Sequence, residues 1–283
     1  MNRRSFLKYI FGSVLTLLGL GGGTYVYARE VEPTLLDENK QLITSKNIPK
    51  SFDGFKIVQF SDTHIDFQYS IKQLKKLVKT MNQMQPDLIV FTGDLVDKPQ
   101  HFQSSEALIA ILKELKAKYG KLWVYGNHDH GGYGTEMIQH IMDRANFTLL
   151  KNSHTVLEIN NDRILVAGID DAILGIPDVE TALEQTNKDL YTILLAHEPD
   201  VADTTVNYPV DVQLSGHSHG GQVRLPFVGH LYTPALSEKY IHGKYLIDDQ
   251  LALYVNRGIG TTRLPFRFLC KPELSIYTLK HEA

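Results

Sequence analysis

Two histidines separated by one small residue stand in the run Leu214-Ser215-Gly216-His217-Ser218-His219-Gly220-Gly221. Glycine on both sides lets the backbone turn tightly and keeps bulk away from the ring nitrogens. Neutral imidazole is the commonest metal-ligating side chain, and two protonated rings this close would repel each other. A divalent cation resolves that conflict, although the pair alone is equally compatible with a structural role. Four further clusters carry the same kinds of groups: Ser61-Asp62-Thr63-His64, Gly93-Asp94-Leu95-Val96-Asp97, Gly126-Asn127-His128-Asp129 and His197-Glu198-Pro199-Asp200. Mixed nitrogen and oxygen donors suit manganese, iron, zinc, nickel or cobalt and do not choose among them. Two such cations about 3.5–4 Å apart cancel the charge of a phosphoester and acidify an attacking water. These residues could hold divalent cations, and metal-assisted hydrolysis of an anionic ester is a chemistry that such a set would fit.

Each cluster follows an apolar run that reads as a buried strand: Lys56–Phe60, Asp87–Phe91, Lys121–Tyr125, Tyr191–Ala196 and Val210–Leu214. In open α/β sheets the crevice beyond the carboxyl ends of the strands is where ligands bind. Between the first three strands the spacing predicts helices over 70–84, with Ile71, Leu74, Leu77, Val78 and Met81 on one face, and over 104–118, with Leu108, Ile111, Leu112 and Leu115. A helix is also expected over 136–144 and another over 179–186. Further strands are expected near 155–159, 163–169, 222–224, 244–247 and 251–255. With no internal repeat and no linker after residue 50, residues 51–283 read as one catalytic domain.

The 283-residue chain has 43% hydrophobic and 22% charged residues, enough for a sizeable core. Its formal charge is −3, a poor match for long nucleic acid, so no nucleic-acid partner is expected. A single cysteine, Cys270, excludes an internal disulfide and a cysteine metal cluster. Residues 1–28 resemble a twin-arginine export signal: Arg3-Arg4-Ser5-Phe6-Leu7-Lys8, then no charge from Tyr9 to Ala28. The alternative is a retained amino-terminal anchor. Either places the catalytic part outside the cytoplasm, with the twin-arginine machinery as a partner. Residues 29–50 read as a tether or a short edge strand.

Taken in order, Asp62-x-His64, Gly93-Asp94-x-x-Asp97, Gly126-Asn127-His128-Asp129, the lone His197 and Gly216-His217-x-His219 resemble the signature of the calcineurin-like metallophosphoesterase superfamily, over roughly residues 55–220. The resemblance implies an α/β fold, a four-layer αββα sandwich with two mixed β-sheets. It implies that Asp62, His64, Asp94 and His219 hold one metal, that Asp94, Asn127, His197 and His217 hold the second, and that Asp94 bridges them. His128 would lie outside the ligand set, facing the substrate phosphate, with Asp97 orienting it through a hydrogen bond. Hydrolysis would use a metal-bridged hydroxide. Asp129 reads as holding its loop, and His130 as a group that could reach substrate.

The stretches Gly220–Pro226 and Asn256–Gly260 are similar to an exported bacterial phosphodiesterase branch of that superfamily. Arg224 and Arg257 could contact a phosphate or be structural. Arg263–Leu269 mixes basic and apolar groups, as a lipid-facing lip or a loop leading into a core strand would. The expected activity is hydrolysis of cell-envelope phosphodiesters, with membrane or cell-wall association. The rivals are a nucleotide-lipid pyrophosphatase, a phosphomonoesterase, and a metal- or wall-binding protein without turnover.

Overall fold

Leu88-Ile89-Val90-Phe91 is apolar at every position because both of its faces are covered. Leu88 and Val90 enter one core, Ile89 and Phe91 another, as in any strand buried on two sides. The structure, a computed structural model, describes residues 21–131 and 134–282. Most of the expected export signal, residues 1–20, lies outside the described residues.

In chain order the strands are β1 (Asp37–Ser45), β2 (Lys56–Phe60), β3 (Leu88–Phe91), β4 (Lys121–Trp123), β5 (Thr148–Leu149), β6 (Ser153–Ile159), β7 (Asp162–Gly168), β8 (Tyr191–Leu195), β9 (Val212–Ser215), β10 (Arg224–Leu225), β11 (Gly229–His230), β12 (Gly243–Ile247), β13 (Leu251–Val255) and β14 (Glu273–His281). The helices are α1 (Ile71–Gln83), α2 (Ser105–Lys113), α3 (Asn127–His130), α4 (Thr135–Arg144), α5 (Val179–Ala182) and α6 (Ala202–Thr205). Two six-stranded sheets form, in the orders β1-β14-β2-β3-β4-β5 and β12-β13-β9-β8-β7-β6, and β10 with β11 makes a separate hairpin. Both sheets are mixed: β2 to β5 run parallel, as do β7, β8, β9 and β13, whereas β14 is antiparallel to β2 and β6 to β7.

The sheets face each other across a core containing Ile57, Val90, Val124, Val166, Ile193, Leu214 and Tyr277. On the outer face of the first sheet, α1, α2 and α4 cover Val58, Phe60, Ile89, Phe91 and Trp123. On that of the second, residues of α5 and α6 pack with Ala167, Leu194 and Leu253. The result is the expected αββα sandwich. Helix α1 shows how locally this is encoded. Ser70 and Gln73 close a capping box at its start. Leu74, Leu77, Val78 and Met81 are buried, each contributing about 1.5–3 kcal/mol.

Two expectations change and one alternative is decided. Helix α2 stops at Lys113 rather than 118, because Asn82 of α1 donates to the Glu114 carbonyl and accepts from the Lys116 N–H, ending the ladder. Helix α5 stops at Ala182, short of 186, where Gln185 takes a positive φ. Of the two readings of residues 29–50, the edge strand holds and the tether does not. Strand β1 pairs with β14 along nine residues, and the Glu32 carboxylate, 1% exposed, accepts the Leu269 and Cys270 N–H groups.

Candidate metal centre

Five loops at the carboxyl ends of β2, β3, β4, β8 and β9 meet at one point. Backbone hydrogen bonds zip them together: Asp62 N–H to Gly93 O at 2.9 Å, His64 N–H to Asp94 O at 3.2 Å, and Gly216 N–H to His197 O at 3.0 Å. Asp62, His64, Asp94, His217 and His219 all have φ between 40° and 66°. Left-handed backbone costs an ordinary residue roughly 1–2 kcal/mol, so this strain is concentrated on the side chains that converge. The loops also approach closely. A Cβ on Gly93, itself at φ 94°, would come within 2.5 Å of His197 Nδ1.

The expected ligands come together in two groups. In the first, His64 Nε2 lies 3.1 Å from His219 Nε2 and 3.4 Å from Asp94 Oδ2, with Asp62 Oδ1 3.5 Å from His219 Nε2. In the second, His197 Nε2 lies 3.1 Å from His217 Nδ1 and 3.3 Å from Asp94 Oδ2. The same Asp94 oxygen therefore lies beside both pairs of rings. Its other oxygen accepts the His128 N–H at 2.8 Å.

Main-chain carbonyls set the tautomers on the far sides of the rings. His197 Nδ1 donates to Thr92 O at 2.5 Å and His217 Nε2 to Ala235 O at 2.8 Å. With those protons assigned, the nitrogens that face each other are lone pairs in a neutral pair. Facing lone pairs repel, and a cation or a proton must sit between them. In the metal-free protein His197 can carry that proton. Burial pushes its pKa down, but the Asp94 and Asp62 carboxylates raise it well above the ordinary histidine value. Burial, then the His197 charge, pushes His217 down to about 3, and burial and His64 hold His219 well below its usual range. Burial would raise Asp94, yet the His197, His128 and His64 rings hold it well below the carboxylate range. Asp62 is raised, by burial first and then by Asp94.

The residues fit a pair of divalent cations. Besides the facing imidazoles, Asn127 Oδ1 is buried with no hydrogen-bond partner among the described residues, a costly orphan unless it meets a ligand. Two carboxylates among the expected ligands would leave two divalent ions with net positive charge, suited to an anion.

His128 stands at the rim with its side chain 28% exposed, edge-on to His64 at 4.5 Å between ring centroids. Its Nδ1 donates to the Asp97 main-chain carbonyl at 2.8 Å, leaving Nε2 for another partner. Burial lowers the His128 pKa, but Asp94 and the Asp97 carbonyl outweigh it and raise the value. The expected hydrogen bond from His128 to Asp97 therefore forms through the main chain, while the Asp97 carboxylate is 3.8 Å from His128 Nδ1 and 3.3 Å from His64 Nδ1. Asp97 orients His128 through the backbone, and its side chain is better placed to position His64. Asp97→Ala is accordingly expected to weaken metal affinity about 10–100-fold, as loss of a carboxylate behind a ligating histidine does, with the His128 ring still held. Metal titration of the apoprotein by calorimetry measures this.

Asp129 holds the loop. Its two oxygens accept the N–H groups of Asp94, Leu95 and Gly126 at 2.8–2.9 Å, while burial and the Asp94 charge push its carboxyl up to about 6. Asp129→Ala strands three buried donors and should lower the unfolding free energy by at least about 2 kcal/mol, read by denaturant unfolding.

Other groups turn away from the chemistry. Arg257 pairs with Glu273 and Asp37, Arg224 donates to the Gly220 carbonyl, and the fully buried Arg267 donates to the carbonyls of Arg257, Gly258, Gly260 and Cys270. His130 donates to Asp170 at 2.8 Å and meets Thr135 at 2.9 Å. Asp170 and Asp171 are further polar groups just beyond the end of β7, outside the expected site. The same strand-end pattern that marked the other loops was present there.

Residues 55–221 match the calcineurin-like phosphoesterase family. The chain is 47% identical over 281 residues to the metallophosphoesterase YkuE of Bacillus subtilis, covering 99% of this chain and 98% of that protein. It is 28% identical over 330 residues to the UDP-2,3-diacylglucosamine pyrophosphatase LpxG of Chlamydia trachomatis, covering 96% and 98%. Among solved structures, one from Thermus thermophilus aligns with a TM-score of 0.49 and 15% identity over 72% of this chain and 90% of that one. By the family match over most of its sandwich and by its likeness to YkuE along nearly its whole length, the chain belongs to the calcineurin-like metallophosphoesterases.

Proposed function

We propose that the protein is a two-metal phosphodiesterase that acts on cell-envelope phosphodiesters after twin-arginine export. The observation that carries the hydrolytic reading is the array of Asp94 between two pairs of facing imidazole nitrogens, each pair 3.1 Å apart. Bound metals would supply charge neutralisation of the phosphate and acidification of the attacking water. The chain's own residues do the rest. Asp94 ties the two ligand groups together, and Asn127 adds an oxygen donor without adding charge. His128, fixed through Nδ1, offers Nε2 to a phosphoryl oxygen or as proton donor to the leaving alkoxide.

Preference for a diester is supported by a cavity of about 360 Å³ beside His219, lined by Val223, Leu231, Tyr232, Pro234 and Leu264. It has room for a second, apolar ester substituent, which a monoester lacks. The expected result is metal-dependent hydrolysis of bis(4-nitrophenyl) phosphate with kcat/KM at least about tenfold above that for 4-nitrophenyl phosphate, the scale of a few filled methylene-sized contacts. Equal or reversed preference would overturn the diester reading.

The likeness to LpxG favours one second reading, cleavage of a nucleotide-lipid pyrophosphate. That substrate class requires access to the cytoplasmic face, so protease accessibility of the catalytic domain in intact cells separates the two. Export itself rests on Arg3-Arg4 and the uncharged run Tyr9–Ala28. No helix of the described residues is long and apolar enough to cross a membrane.

A further inference from the structure

Hairpin β10–β11 projects next to the metal centre, and its tip is unlike an ordinary surface turn. Leu225, Phe227 and Val228 are exposed there, Phe227 completely and Val228 at 69%. Phe227 also has φ 67°, a conformation that a bulky side chain rarely holds. Strain combined with full exposure of an aromatic ring is unfavourable in water, with no packing contact to offset it.

The loop before β14 continues the same surface. Arg224 N–H donates to Phe268 O at 2.9 Å, and Gln222 bonds Thr262 and Leu264. Leu264 and Leu269 add further exposed apolar side chains. No acid occurs between His219 and Ser237 or between Arg257 and Pro272, although the whole chain is net acidic. Arg263 and Lys271 are exposed on this loop, and Arg263 lies over the Tyr232 ring at 4.9 Å.

The amino-terminal segment joins the domain on this loop: Arg267 N–H donates to Ala28 O at 2.9 Å, and the Tyr25 ring meets Phe266 edge-on at 5.3 Å between centroids. Residues 21–28, the described end of the uncharged run, therefore join the domain at the loop that carries Leu264, Phe266 and Arg267.

We propose that the β10–β11 tip and the 263–269 loop form a lip that docks on an anionic lipid bilayer, with the apolar cavity beside His219 opening toward it. The tip residues enter the acyl boundary while Arg263 and Lys271 meet the headgroups, an arrangement used by interfacial proteins. The proposal deepens the phosphodiesterase reading by making the substrate a phosphodiester presented at a lipid surface.

The test uses the full chain carrying an environment-sensitive nitrobenzoxadiazole label at Phe227→Cys or, separately, at Val228→Cys. The native Cys270 is 1% exposed and is spared by the label. A control label at Lys188→Cys sits before the amino-terminal end of β8, at the opposite end of the sheet. With phosphatidylglycerol–phosphatidylcholine vesicles, emission from both tip labels should shift to the blue and at least double. Brominated acyl chains should quench it, and the control label should not respond. Tip labels that stay in water, a response equal to the control, or a shift with purified cell wall instead of vesicles would each overturn the docking lip. The readout needs no turnover. An inactive protein whose tip still inserts would overturn only the phosphodiesterase reading, and an active one whose tip stays in water only the lip.

Discussion

Asp94→Ala is expected to lose metal from both ligand groups and to reduce hydrolysis by about 10³-fold or more, the several kcal/mol that metal stabilisation of a phosphoryl transition state supplies. The reason is geometric. One Asp94 oxygen lies 3.4 Å from His64 Nε2 and 3.3 Å from His197 Nε2, whereas Asp62 Oδ1 is 3.5 Å from His219 Nε2 but 4.0 Å from His197 Nε2, so Asp94 is the carboxylate nearer to both pairs of rings. The other oxygen accepts the His128 N–H, so the substitution also frees the turn that carries Asn127. Alanine is disfavoured at the positive φ of residue 94, and a folding defect could imitate metal loss. Asp94→Asn separates the two effects, since asparagine tolerates that backbone and keeps an oxygen toward His128 N–H. The asparagine variant should fold normally by circular dichroism and bind less than half the metal of the parent by mass spectrometry. Retention of two ions per chain by both variants would overturn the bridging role.

How much of this could be seen in the residues follows from what kind of group does each task. Asp62, His64, His197, His217 and His219 follow apolar runs, and strand-end polarity is visible in one dimension. Asp129 was legible as a loop-holding group because it ends a turn whose other members carry the ligands. The partners of the rings were not legible. Thr92 and Ala235 act through carbonyl oxygens, which every residue type has, so their identities carry no signal. Asp97 does orient His128, but spacing cannot show that its carbonyl makes the bond while its carboxylate stands nearer His64. An edge strand within residues 29–50 is legible, but its length and its partner are not. Its nine-residue pairing with β14 joins the two ends of the chain, and its alternate half-exposed, exposed pattern lacks the apolar run that marks a buried strand. The overlong reading of α2 failed where one side chain, Asn82, intercepts the backbone of a neighbour.

His128→Ala should leave both metals bound and lower kcat by about 10²–10⁴-fold, the range for a lost general acid or charge-stabilising group. Proximity alone does not dictate that division, because the ligand atoms of His64, Asp94 and His128 also lie within 4.8 Å of one another. Three features set His128 apart. Its ring is the partly exposed one, its Nδ1 proton is committed to the Asp97 carbonyl, and its main-chain N–H rather than its ring contacts Asp94. The loss should fall on kcat for substrates with a poor leaving group, such as an alkyl phosphodiester, and be smaller for 4-nitrophenyl esters, whose leaving group needs little protonation. A uniform loss across both leaving groups would assign His128 to phosphoryl-oxygen stabilisation instead of proton donation. Loss of one metal ion per chain in the folded variant would make the residue a ligand and overturn the assignment altogether.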